Sequence, residues 1–150
     1  MVDLEDIYTD RVLGLAGNIP RTGRLKDPDA TASAHSKLCG SRITVDLRMK
    51  DGIVIDYAQD VRACVLGQSA AAIVGANIVG SSAEELRRLA GQMRTMLRAD
   101  GPPPEGRWSD LAILEMVRGY KARHASTLLV FDAVEDAISQ IEAKCCGRRD

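Results

Sequence analysis

Aromatic residues are scarce in this sequence, with one Trp, one Phe and three Tyr among 150 residues. A surface that stacks nucleic-acid bases needs several such rings, so that class is disfavoured. Charge of one sign is also missing: 20 Lys and Arg face 21 Asp and Glu, for a net charge of −1. Neither nucleic acid nor an anionic membrane is therefore expected as a partner. No apolar run approaches the roughly 18 residues of a membrane-spanning helix. Residues 1–6 (Met-Val-Asp-Leu-Glu-Asp) are acidic and lack the basic and apolar regions of a signal peptide. A cytoplasmic location is expected, and with it cysteines that are free, metal-bound or reactive rather than disulfide-bonded. Internal repeats and low-complexity stretches are absent. A phosphate-binding Gly-x-x-x-x-Gly-Lys-Ser/Thr loop is absent too, and Ser126 has no Gly-x-Ser-x-Gly elbow to make it a hydrolase nucleophile.

What is present is ordinary globular composition, 45% hydrophobic and 27% charged, enough for one buried core. One domain over residues 1–144 with a polar tail at 145–150 is expected. Leu4, Tyr8, Val12 and Leu15 have helical spacing that stops near Gly17-Asn18, with Pro20 beyond. Residues 18–41 are rich in Pro, Gly, Asp, Ser and Ala and read as a long loop, in which Arg21 and Arg24 read as solvated charges, with presentation to a partner as the alternative. Ile43, Val45, Leu47 and Met49 then alternate with Thr44, Asp46, Arg48 and Lys50, the mark of a strand with one wet face. Asp51-Gly52 is a hairpin turn. A return strand over 53–57 follows, then a third short one near 58–63.

Helical patterns fill the rest. A helix rich in small residues follows Cys64. Ser82 and Glu85 form a capping box for a helix carrying Leu86, Leu89, Met93 and Leu97. A Pro-rich loop spans 100–106. Further helices hold Leu111, Leu114 and Val117, then Leu128, Phe131, Val134, Ile138 and Ile141. Asp110, Asp132, Glu135 and Asp136 read as solvent-face charges. Strands segregated from helices imply an α+β fold: a small three-stranded antiparallel sheet with helices packed on one face.

Cys39 precedes the first strong strand and Cys64 follows the last, so a meander can bring the two together although they lie 25 positions apart. That spacing is not a zinc-finger spacing. Cys64 also opens a helix, where the dipole and free amides favour thiolate, the form that binds soft metals or attacks sulfur.

The surroundings of these cysteines are identifiable. Asn18-Ile-Pro20-Arg21-Thr-Gly23-Arg-Leu25, Asp29-Ala30, Leu38-Cys39-Gly40, Ala63-Cys64 with its small-residue helix, and Arg123 to Ala137 together resemble the U-type iron–sulfur cluster assembly scaffolds, the IscU, SufU and NifU N-terminal family. The Pro-rich loop and Trp108-Ser-Asp-Leu111 resemble the SufU branch; the Leu-Pro-Pro-Val-Lys chaperone-docking motif of IscU is absent. The resemblance implies a SufE/NifU-like α+β fold and a scaffold or sulfur acceptor rather than an enzyme. It also implies a cysteine desulfurase as sulfur donor, iron–sulfur client or carrier proteins as recipients, and an iron–sulfur cluster, iron or zinc at the site.

The chain departs from that family at two of four ligand positions. An Asp normally stands two residues after the first Cys, where this chain has Ser41. A third Cys normally opens the last helix, where it has Ser126. A hydroxyl is a hard, weak ligand beside a thiolate. Three compensations are open. His35 and His124 could complete a Cys₂His₂ set with Cys39 and Cys64. Two chains of a homodimer could each lend Cys39 and Cys64 to a shared cluster. Cys145-Cys146 could act as a sulfur relay. The reading from a different class is an interaction module or zinc-binding relative that keeps the fold and has a weakened or absent cluster site.

Overall fold

A computed structural model of the protein describes residues 9–37 and 40–147, with side chains through Lys144. Helix α1 (Asp10–Ala16) is followed by strands β1 (Ala30–His35), β2 (Arg42–Lys50) and β3 (Ile53–Arg62). Helices α2 (Val65–Asn77) and α3 (Ala83–Arg98) come next, then two 3₁₀ helices (Gly106–Gly119 and Lys121–Arg123) and α4 (His124–Gly147). The strands form an antiparallel meander in the order β1-β2-β3. The fold is the expected α+β arrangement. Among the described residues, no helix is long and apolar enough to cross a membrane.

Ile43, Val45 and Leu47 on β2 are wholly buried because α4 packs against β1 and β2 while α2 packs against β3. Leu66, Ala70, Ile73 and Val74 of α2 and Leu128, Val130, Phe131, Val134 and Ile138 of α4 join the same core. The 3₁₀ helix Gly106–Gly119 buries Trp108, Leu111, Leu114 and Val117. That strict spacing of three suits a helix of three residues per turn, which lines up every third side chain.

The strands differ from expectation in two places. β1 lies inside the stretch 18–41 expected as loop. Its alternation is real, with Ala30 and Ala32 buried while Thr31, Ser33 and His35 are exposed or half-exposed, but alanine has little strand preference and carried no signal. Second, the segments 53–57 and 58–63 are a single strand. Met49 pairs with Val54 and Arg48 with Asp56, so Ile55 is the extra residue of a β-bulge, which breaks the alternation in the sequence. The capping box is also only half made. Ser82 Oγ accepts the Glu85 N–H at 3.0 Å, but the Glu85 carboxylate accepts the Trp108 indole N–H at 2.7 Å. At the chain's far end, α4 continues through Gly147, so the backbone of Cys145 and Cys146 is helical.

Residues 18–29 strap the free edge of β3 and cross to the outer face. Gln59 N–H donates to Arg21 O and Gly23 N–H to Gln59 O, both at 2.9 Å. The wholly buried Gln59 side chain accepts the Tyr57 hydroxyl at 2.8 Å and donates to Pro20 O and Ala71 O at 3.1 and 3.0 Å. Burial pushes the Tyr57 phenol well above its usual value, so it remains a donor. A Cβ at Gly75 would lie 2.6 Å from Gln59 Nε2 and 3.2 Å from Pro20. The glycine is what lets strap, strand and helix meet. Further along the strap, Arg24 is solvent-exposed as expected but also ion-paired: it binds Asp46, which is wholly buried on the face of β2 expected to be wet.

Candidate functional site

Register decides where the site forms. Arg42, first in β2, stands opposite Arg62, last in β3. The residues just outside these two, Ser41 and Ala63-Cys64, are therefore held at one end of the sheet. Cys64 is the N-cap residue of α2 with an extended backbone, φ −67° and ψ 172°, and its side chain makes no capping bond. The thiol turns instead toward the first turn of α4, where Sγ donates to Ser126 Oγ at 3.4 Å. The Cys64 N–H donates to Ser41 Oγ at 3.3 Å. Both hydroxyls are buried, at 3% and 2% exposure, while Cys64 is half-buried.

Three separate elements thus meet at one thiol. Their close approach depends on Gly67, one turn into α2. A Cβ there would lie 2.8 Å from Ala63 Cβ and 3.0 Å from the Ser126 carbonyl oxygen. Sequence reasoning passed over Gly67; a glycine three positions after the cysteine, in a helix otherwise rich in alanine, was the available signal. Ser126 Oγ also donates to Arg123 O at 3.2 Å.

Cys39 lies outside the described residues, two positions before Ser41. Among the described residues on either side, Ser36 N–H donates to Ser41 O at 2.8 Å and Gly40 N–H to Ser36 O at 2.9 Å. Gly40 has φ +72°, a conformation that suits glycine.

The two histidines are placed elsewhere. His35 ends β1, exposed, and pairs in register with Arg42 on the outer face. His124 is 7% exposed, and its Nε2 lies 3.1 Å from the carbonyl oxygens of both Val117 and Arg118. Carbonyls only accept, so Nε2 carries a proton and donates to them. Among the described residues no three His, Cys, Asp or Glu side chains gather as a metal-binding group. His35, Cys64 and His124 therefore do not converge as a mixed-ligand set. The reason is local: the end of the 3₁₀ helix holds one ring, and strand alternation sends the other to the outer face. The side chains of Cys145 and Cys146 lie outside those described.

Chemically, the centre offers one half-exposed thiol with two buried hydroxyls around it. A thiol in that setting can take up sulfur or a soft metal. The hydroxyls can hydrogen-bond what the sulfur carries, and they are poor metal ligands in their own right.

No family model matches the chain. A curated relative, the iron–sulfur cluster assembly scaffold protein IscU of Thermotoga maritima, is 25% identical over 135 residues, covering 90% of this chain and 94% of that protein. The crystal structure of the N-terminal part of a nitrogen-fixing NifU-like protein from Brucella abortus superposes with a TM-score of 0.92 at 54% identity, over 94% of this chain and 98% of that one. A putative scaffold protein of the SUF system from Fervidobacterium islandicum shares the fold, with a TM-score of 0.83 at 15% identity over 91% of this chain and 99% of that one. With its sheet, its strap and its cysteine at the head of α2, the chain belongs to the IscU/NifU-like family of iron–sulfur cluster assembly scaffold proteins.

Proposed function

We propose that this protein works in iron–sulfur cluster assembly as a scaffold-type sulfur and iron acceptor, not as an enzyme, and that Cys64 and Cys39 are its working thiols. The observation that supports this most is the convergence of Ser41, just before β2, Cys64, the N-cap of α2, and Ser126, in the first turn of α4, on one half-exposed sulfur. Cys39 stands two residues before Ser41 in the sequence, a span of at most about 7 Å of chain, which supports its assignment as the second thiol.

In the sulfur step, the Cys64 thiolate attacks the terminal sulfur of a persulfide on a cysteine desulfurase. The S–S bond of the donor breaks, the donor cysteine leaves as thiolate, and Cys64 carries the persulfide. No net oxidation occurs. The Ser126 hydroxyl, already beside Sγ, turns to hydrogen-bond the transferred sulfur. Iron and the growing cluster are cargo, held by Cys39 and Cys64 and passed to client or carrier proteins. A resident zinc would have these two thiols as its sulfur donors, with hydroxyls at the remaining family positions. That donor set does not fit a closed tetrahedral zinc site, and it suits transient holding. Free thiols accord with a cytoplasmic setting.

The test is anaerobic incubation with a cysteine desulfurase, cysteine and ferrous iron, read by intact mass and visible absorption. Wild type gains sulfur and a cluster chromophore, Cys64→Ala gains neither, and Cys39→Ala takes up sulfur but builds no stable chromophore. Equal sulfur uptake by wild type and Cys64→Ala, or none by wild type, overturns the reading.

A further inference from the structure

We propose that the end of the outer sheet face beside the site, formed by His35, Arg42 and Arg62, is a docking surface for an acidic patch on the cysteine desulfurase. This rests on the scaffold reading above. The three residues share one row across the sheet: His35 pairs in register with Arg42, and Arg42 with Arg62. Strand alternation sends all three to the face opposite α4, and all three are exposed.

Two guanidinium groups directly opposite each other on neighbouring strands repel and cost stability. The same sheet shows the ordinary solution at its other end, where Arg48 stands opposite Asp56. At the site end the like-charged pair has only one weak acidic partner. Arg42 has no ion pair among the described residues. Arg62 has only Asp60, at 3.9 Å with side chains 79% and 50% exposed, a geometry that binds little. A cost to the fold that is confined to the rim of the site indicates that a partner meets that rim.

The row is tied to the site by sequence as well as by space. Arg42 directly follows Ser41, and Arg62 comes two residues before Cys64; the thiol turns toward α4 and the row faces the other way, so a carboxylate-rich surface seated on the row brings its own reactive sulfur to Cys64 around the end of the sheet. Exposed charges act over about 8 Å at physiological salt, far enough to orient the partner before contact and raise its association rate.

The test measures the complex of the whole chain with a cysteine desulfurase from the same organism by calorimetry. Raising salt from about 50 to about 300 mM is expected to weaken wild type tenfold or more. Arg42→Glu and Arg62→Glu should each weaken it by at least that much at low salt, while their melting temperatures hold or rise because the repelling pair becomes an attracting one. Sulfur uptake from a small-molecule persulfide should be unchanged in both, and Arg48→Glu, at the far end of the sheet, should bind like wild type. A complex indifferent to salt and to both reversals overturns the docking surface alone. Reversals that abolish binding to duplex DNA or anionic vesicles but leave the desulfurase complex intact overturn it as well. Absence of any complex and of sulfur uptake in wild type overturns it together with the scaffold reading.

Discussion

The sheet carries two polar centres, and they are built in opposite ways. Around Asp46 the carboxylate is saturated. It accepts Arg24 Nε at 2.7 Å and Nη2 at 3.1 Å, the Leu25 N–H at 3.0 Å and the Thr31 hydroxyl at 2.6 Å, and it is wholly buried. Around Cys64 the bonds are few and long, 3.3 and 3.4 Å, and the thiol is half-exposed. A buried charge is tolerated only when every lone pair is used, so the Asp46 centre closes the strap over the sheet and leaves nothing free to react. A thiol that takes up sulfur, the role proposed for Cys64, needs the reverse, a loosely held sulfur with polar neighbours that can re-aim. One centre holds the fold shut, and the other leaves its sulfur half-exposed.

The sharpest way to press this contrast is to give the open centre a stronger donor set. Ser126→Cys places a second thiol where a hydroxyl now lies 3.4 Å from Cys64 Sγ, and with Cys39 a third sulfur comes within reach. Added to Ser41→Asp, it replaces both hard hydroxyls with ionisable ligands. Zinc retained after gel filtration is expected to rise at least tenfold over wild type, measured by metal analysis. Unchanged retention would mean that the three elements do not frame one ion-sized space.

The next largest effect lies at the closed centre. Burial pushes the Asp46 carboxyl up, but the hydrogen bonds from Arg24, Thr31 and Leu25 together with the Arg24 charge outweigh it, and the net value lies below the ordinary carboxylate range. Asp46 therefore stabilises the fold above its unfolded-state pKa, and this contribution is lost as pH falls through the lowered folded-state value. Asp46→Asn is expected to cost about 2 kcal/mol at neutral pH. The gap to wild type should narrow in the acid range, as followed by urea unfolding across pH, while sulfur uptake stays at the wild-type level. Equal costs at neutral and acid pH would show that the carboxylate charge is not what closes the strap.

The sequence made the two centres unequally legible. The Cys64 centre was approachable because resemblance marked Cys39, Cys64, Ser41 and Ser126 as related positions before any geometry was known. Yet resemblance left the two serines as positions without a role, and only the β2–β3 register and the close approach of α2 to α4 at Gly67 set their hydroxyls against the thiol. The Asp46 centre was invisible. Alternation correctly placed Asp46 on the outer face, but a strap that covers part of that face is tertiary, and no local pattern announces that Arg24 will fold back over β2. The same limit hid β1, whose inward residues are alanines made small to admit α4, and the bulge at Ile55, which shifts the alternation by one. His124 shows the converse failure. As a residue type it suits metal binding, while its ring is spent on the carbonyls of Val117 and Arg118.

The smallest expected effect tests whether the open centre depends on packing as the closed one depends on charge. In an isolated helix Gly67→Ala would gain about 0.5–1 kcal/mol of backbone entropy. Here the new methyl meets Ala63 Cβ at 2.8 Å and the Ser126 carbonyl oxygen at 3.0 Å, and neither neighbour is a flexible side-chain end that can swing aside. Overpacking of this kind costs about 1–3 kcal/mol. The opposing terms leave a net loss of about 1 kcal/mol, smaller than at Asp46, measurable by chemical denaturation. The displacement falls on the α2–α4 contact that sets Ser126 beside Cys64, so cluster chromophore per chain should drop even where the protein is fully folded. A stabilised Gly67→Ala variant with full cluster loading would show that α2 and α4 can part without cost, and that the site is not held by their close approach.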